Sequence, residues 1–414
     1  MEILSKMNST KLFPYLSIIT FLAYFLSNIN SNGISSGKYL LISALSLSII
    51  SYAFNIERLN KKIYIPLFLL ISLFYIYVFY LSLFTRPDLS ATINSLFDSN
   101  GGALYTFLIG IFLSSSLSCV LNPERGKADW CWIFIFSAVV FSLGYFLFEA
   151  LSYGFKETAI LSINQDHDGY QRMGTMTIII NLILGVALIN NFEKTKKGRI
   201  LLLLYCIYSV LAATLSILSL SNSGFITNIV LMISSLCIIV YLYKGNKNQI
   251  FLSFYCKYTL YAMFFVVLLI IALFITESGV SRLRLFDMSN NSSFLSRYNL
   301  LKSNFWEQFS INPFWGNMHS DVLVNGTSGE YVHSILSLFT HTGVVGAAIF
   351  SAIIATVYVK TVRLIRGNNP IGMFLNVNLS VLLFISLLSS FFNWVPLWIC
   401  ILLSTHLIKR GHRE

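Results

Sequence analysis

Apolar runs of about 20 residues recur along most of the chain, separated by short polar breaks. Within these runs the hydrophobic positions do not alternate, as the strands of a membrane barrel would. Neither do they keep to one helical stripe; the runs are apolar all round. A helix satisfies its own backbone polar groups, so such a run crosses a ~30 Å hydrocarbon core as a helix. The pattern predicts helices over 13–30, 38–56, 63–84, 103–121, 130–152, 174–192, 200–220, 223–243, 258–276, 335–359, 371–391 and 393–408. Two breaks are longer than connection requires, 153–173 and 277–334. Long segments of this kind usually carry function. Inside the second, Tyr298, Leu301, Phe305 and Phe309 recur at helical spacing, with Asn299, Lys302 and Ser303 elsewhere around the turn. This predicts an amphipathic helix over 296–310, lying at the membrane interface with its aromatic face down. Asn312-Pro313 ends it, because proline disfavours helix at the residue before it. The last two runs meet at Asn393 and read as a hairpin.

Composition agrees with the pattern. Of 414 residues, 56% are hydrophobic and only 11% charged, against about 25% charged in a soluble domain. So few charges cannot cover a water-exposed surface. The expected fold is therefore all-α, one polytopic membrane bundle of about 12 helices spanning 1–414, with 277–334 as a large loop within it. The net charge of +11 changes meaning in that light. With the N-terminus placed in the cytoplasm, most of the 28 Lys and Arg fall on cytoplasmic segments, among them Lys61, Lys62, Lys196, Lys197, Arg363 and Arg366. The basic balance is a topology signal, with no nucleic-acid partner implied. Both termini are expected in the cytoplasm, and both long loops outside. The first run is long and lacks a small-x-small exit, so no cleavable signal peptide is expected. The six cysteines fall in the runs or at their cytoplasmic ends, where no disulfide framework is expected.

The chemistry follows the same division. There is no phosphate-cradling glycine loop, no GxGxxG opening a helix and no HExxH. Glu330-x-x-His333 has the shape of half a di-metal site, but its second half is not visible. Glu149 is the only carboxylate within a run, and a coupled pump usually needs several at mid-membrane. Ionisable residues gather in the two long loops instead: Asp166, His167, Asp168 and Arg172 in one, and Arg297, Glu307, Asp321, Glu330 and His333 among those in the other. Chemistry outside the cell without nucleotide needs a substrate already activated. A lipid-diphosphate sugar is the natural candidate, and guanidinium groups suit its diphosphate.

These residues resemble a known signature. Arg297, then Asn312-Pro313-Phe314-Trp315-Gly316, then His333, then Gly343-Val344-Val345-Gly346 at the start of an apolar run, is similar to the C-terminal signature of bacterial O-antigen polymerases and ligases. That signature runs Arg, a spacer, Pro-x-x-Gly, a variable loop, a His often followed by Asn, and a Gly-x-x-Gly span. Arg172 with Gly185, and Arg297 with Gly316, resemble the arginine-then-glycine arrangement in two outer loops of such polymerases. Two departures stand out. Ser334 occupies the place where Asn is frequent, and Leu218–Gly224 lacks the arginine that ligases, and many polymerases, place there. The second departure favours polymerase over ligase.

The resemblance implies a metal-independent, inverting glycosyltransferase of the broad membrane-embedded, GT-C-like class, needing no cofactor, in a bacterial inner membrane. Its donor would be a growing glycan on undecaprenyl diphosphate, and its acceptor a repeat unit on a second undecaprenyl diphosphate. A chain-length regulator protein is a possible partner. Arg172 and Arg297 are expected to clamp the diphosphate, and His333 to take the proton of the acceptor hydroxyl. Glu330 would orient that imidazole or replace it. The alternatives are a ligase that moves finished glycan to lipid A core, and a flippase of the lipid-linked oligosaccharide.

Overall fold

A computed structural model describes residues 9–29, 34–56, 64–85, 102–121, 130–152, 169–192, 196–218, 221–244, 292–326, 334–366, 369–389 and 394–407. The described residues are helical with short connections, and no strand occurs among them. We number the helices α1 (Ser9–Ile29), α2 (Ile34–Phe54), α3 (Ile65–Thr85), α4 (Ala103–Val120), α5 (Trp130–Ser152), α6 (Gly169–Asn191), α7 (Lys196–Leu218), α8 (Asn222–Lys244), α9 (Ser292–Ile311), α10 (Ser320–Asn325), α11 (Ser337–Arg366), α12 (Pro370–Ser389) and α13 (Val395–Leu407). Each predicted run coincides with a helix except 258–276, which lies outside the described residues.

Among the described residues, seven helices are long and apolar enough to cross a membrane: α3, α5, α6, α7, α8, α11 and α12. The apolar parts of α1, α2, α4 and α13 are shorter. The chain is a helical membrane protein. Its outward faces are built for lipid: Leu73, Ile76 and Phe84 on α3, and Phe134, Phe141 and Phe148 on α5, are all more than half exposed. Exposed apolar stripes of this extent on a water-soluble monomer would be an association surface.

The centre is made by α6 and α13. Helix α6 touches α1, α7, α8, α12 and α13, and 89% of its apolar stretch is buried. Every residue of α13 is buried, between α4, α6, α11 and α12. At 13 residues it is only about 20 Å long, shorter than the expected span 393–408. Enclosure by protein makes up the difference, because its ends meet other helices and not lipid headgroups. At one end, the Tyr64 N–H donates to Thr405 O (2.9 Å) just ahead of α3.

Polar side chains tie the helices together where lipid offers no hydrogen bonds. The Asn181 Nδ2–H donates to Asn228 Oδ1 (2.9 Å), the Asn228 Nδ2–H to Thr177 Oγ1 (3.0 Å), and the Tyr205 hydroxyl to Asn181 Oδ1 (2.6 Å). The Tyr208 hydroxyl donates to Thr177 O (2.6 Å). These residues are fully buried and join α6, α7 and α8. A second knot holds α1, α2 and α4 through Ser17, Ser48 and Ser116. His406 Nδ1 lies 3.1 Å from Ser114 Oγ and 2.7 Å from Thr405 Oγ1, locking α13 to α4.

The two ends of the bundle differ. One carries basic residues over aromatic rings, Lys197 above Trp130 (4.8 Å) and Lys360 above Tyr64 (4.2 Å), with Arg363 and Arg366 in the last turn of α11. The other carries the ends of α3 and α12, the starts of α6, α8, α11 and α13, and the segment 292–326.

Candidate functional site

The segment after α9 explains each glycine of the signature. The chain leaves α9 at Ile311 and turns tightly: the Gly316 N–H donates to Asn312 O (2.8 Å) and the Trp315 N–H to Asn312 Oδ1 (3.3 Å). This turn docks on a break inside α11, where Gly343 leaves helical geometry (φ 62°, ψ −170°). Beyond the break the helix starts afresh, so its first N–H groups have no partner within it. The turn supplies the partners. The Val344 N–H donates to Pro313 O (2.9 Å), and the Val345 N–H to Phe314 O (3.2 Å). In the other direction the Asn317 N–H donates to Thr340 O (3.2 Å). The Pro-x-x-Gly turn thus acts as a backbone N-terminal cap for the Gly-x-x-Gly helix.

That docking admits no side chain at either glycine. A Cβ on Gly316 would land on Gly343 N, Thr342 C and His341 O; one on Gly343 would land on Phe314 O and Gly316 N. Both residues also have positive φ, 80° and 62°, where L side chains are strained. The third glycine, Gly346, leaves room for another element: a Cβ there would press on Thr342 and approach Tyr77 Cε1 of α3 to 3.1 Å. The Tyr77 hydroxyl donates to Trp315 O and has Thr342 O at 3.1 Å as a second acceptor. Tyr77 was missed by sequence reasoning, since one tyrosine in a run reading Leu73-Phe-Tyr-Ile-Tyr-Val-Phe-Tyr80 carries no distinguishing signal.

The depth of this turn sets its chemistry. Tyr77 lies eight positions before the end of α3 at Thr85, or about 12 Å along the axis. The turn therefore re-enters the bundle well below the ends of the helices. Non-helical backbone at such depth persists only where protein satisfies it, and the carbonyls of Pro313, Phe314 and Trp315 all accept hydrogen bonds. The Phe314 and Trp315 side chains project outward, both more than half exposed.

Helix α9 covers more than the expected 296–310 and turns a polar face to the protein. Its buried residues in the described half are Asn304 and Gln308, not the aromatic set. Phe305 and Phe309 stack on one flank (ring centroids 6.0 Å apart), half-buried beside an exposed Trp306. The reason lies in α10. The Asn304 Nδ2–H donates to Asn325 Oδ1 (3.1 Å), and Ser320 and Asp321 are buried nearby on the same short helix. A polar face turned onto a polar partner costs less than one turned onto lipid.

The sequence-predicted residues distribute as follows. Arg172 stands in the first turn of α6 and Arg297 in the first half of α9; their side chains lie outside the described residues. Glu330 and His333 lie outside them altogether. Their neighbours in the chain are described, and they gather at one end of the bundle. The Ile335 N–H, two residues after His333, donates to Ser386 O near the end of α12 (2.8 Å). Trp394, ahead of α13, donates from Nε1 to Thr175 Oγ1, three residues after Arg172 (3.3 Å). Gly174 packs against Gly224 so closely that a Cβ on Gly224 would sit 2.7 Å from Gly174 Cα. Ser221 and Gly224, in the stretch singled out for its missing arginine, therefore abut the start of α6. His341 is buried, with Nδ1 2.9 Å from Ser337 O; a carbonyl only accepts, so Nδ1 carries the hydrogen. No protein-family model, curated protein or solved structure matches the chain.

Proposed function

We propose that this protein is an O-antigen (surface polysaccharide) polymerase. It would join undecaprenyl-diphosphate-linked repeat units at the periplasmic face of a bacterial inner membrane. In this reading the chain crosses the membrane about twelve times in a GT-C-like arrangement, with both termini in the cytoplasm and 277–334 outside. A hydroxyl of the acceptor unit attacks the anomeric carbon of the growing glycan from the face opposite the diphosphate. The glycosidic C–O bond forms, the bond to the diphosphate oxygen breaks, and the configuration inverts. His333 takes the hydroxyl proton, with Glu330 orienting it. Arg172 and Arg297 stabilise the charge that builds on the leaving undecaprenyl diphosphate.

The observation that carries the reading is the docking of Asn312–Gly316 onto Thr340–Val345. Two short motifs far too weak singly to identify a family turn out to be halves of one backbone lock. The lock joins α9, which bears Arg297, to the helix that follows His333. The gathering of the neighbours of Arg172 and His333 at that same end supports it further.

The test is incubation of purified protein with the lipid-linked repeat unit, without nucleotide, followed by a ladder gel. A polymerase makes a ladder; a ligase or flippase makes none. Arg172→Ala, Arg297→Ala and His333→Ala are expected to abolish the ladder while protein level in the membrane is unchanged. Normal ladders from those three variants would remove the assignment. A strain lacking the protein should carry single-repeat lipopolysaccharide; bare core with accumulated lipid-linked polymer would mean a ligase.

A further inference from the structure

We propose that Tyr77 is a positioning residue for the transfer reaction, an inference that rests on the function proposed above. Its hydroxyl bridges the two halves of the lock, reaching Trp315 O on the turn and Thr342 O ahead of the break. Three elements distant in the chain meet there: α3, the re-entrant turn and α11. Gly346 has no side chain where the Tyr77 ring passes. Gly343 breaks the helical geometry of α11 directly after Thr342, whose carbonyl lies 3.1 Å from the phenol. Trp315 O accepts from the same phenol.

The consequence for the reaction is geometric. Helix α9 ends one residue before the turn, so the angle at which α9 leaves the lock sets where Arg297 is carried. The segment 334–342 enters the lock from the other side and sets where His333 is carried. Tyr77 holds both to a third, rigid helix. It touches neither substrate nor reacting atoms; it fixes the distance between the diphosphate clamp and the base. The exposed residues beside this hydrogen bond are the apolar Phe314, Trp315 and Val344.

The experiment compares wild type with Tyr77→Phe, purified in the same detergent, with the lipid-linked repeat unit as substrate. The ring stays and only the hydroxyl goes. A positioning role lowers kcat on the order of 10–100-fold, with KM for the lipid-linked unit and the melting temperature unchanged. Amide exchange at Val344 and Val345 should rise in the variant, reporting a loosened lock. Gly346→Ala, which crowds the same ring from α11, should give the same split of kcat against KM, and stands in if Tyr77→Phe fails to accumulate. Wild-type kcat in the variants overturns the inference and leaves the proposed function standing. A matched fall in melting temperature and active fraction, with normal kcat per folded molecule, also overturns it, since that is a merely structural role. No ladder from the wild-type protein overturns both.

Discussion

Gly316 and Gly343 face each other with nothing but backbone between them, and their substitution separates two penalties that usually arrive together. Gly326 has positive φ as well (74°), but nothing stands within 4 Å of where its Cβ would go. Gly326→Ala should therefore carry only the backbone strain, about 1–2 kcal/mol. Gly316→Ala and Gly343→Ala add a collision that no side-chain rotation relieves. Both should lose more than Gly326→Ala in thermal melting of the detergent-solubilised protein; equal losses in all three would mean that the lock is not closed. These glycines were legible in the sequence as motif letters. Their pairing was not, because contacts between main-chain atoms leave no trace beyond the absence of a side chain. Tyr77 was illegible for a related reason: its phenol seeks two carbonyls, and carbonyls have no residue identity.

Helices were legible wherever lipid or core requires a long apolar run, since hydropathy reads burial and length directly. Helix α9 was legible as an amphipathic helix, but the partner of its polar face was not. Asn304 and Gln308 are buried, and Asn304 bonds to Asn325 of α10. Periodicity locates an apolar stripe but cannot tell that a polar partner awaits the other side. The re-entrant turn after α9 invites a depth measurement. With Trp315 at the level of Tyr77, the fluorescence lost in Trp315→Phe should be strongly quenched by lipids brominated on the upper acyl chain; quenching only from the aqueous phase would refute the depth. The polar knot of α6, α7 and α8 makes another element-scale case. Asn181→Leu strands Asn228 Oδ1 and the Tyr205 hydroxyl loses one partner, so a loss of about 1–2 kcal/mol is expected in denaturant titration. Tyr205→Phe should lose less, about 0.6 kcal/mol, because Asn181 and Asn228 keep each other.

For the molecule as a whole, charge asymmetry and helix order lead to one arrangement across the membrane. In the proposed orientation the end bearing Lys197, Lys360, Arg363 and Arg366 would face the cytoplasm, as the positive-inside rule expects, and α9 the outside. In whole cells, Ser310→Cys should react with a membrane-impermeant maleimide added outside, and Asn246→Cys only after lysis. The reverse result would invert the orientation and put the lock on the cytosolic side. The candidate site was legible as a set of residues scattered over 172–333; the contacts among their chain neighbours were not. Loops close on one another through contacts such as Trp394 to Thr175, and neither partner stands out in its own sequence context.

Helix α13 follows every other described helix in the chain, yet lies enclosed by them. Its seat is walled by Phe74 and Phe350, whose rings lie against Trp398. A bundle without Val395–Leu407 would be a ring without its hub, so loss of this one helix should loosen α4, α6, α11 and α12 together.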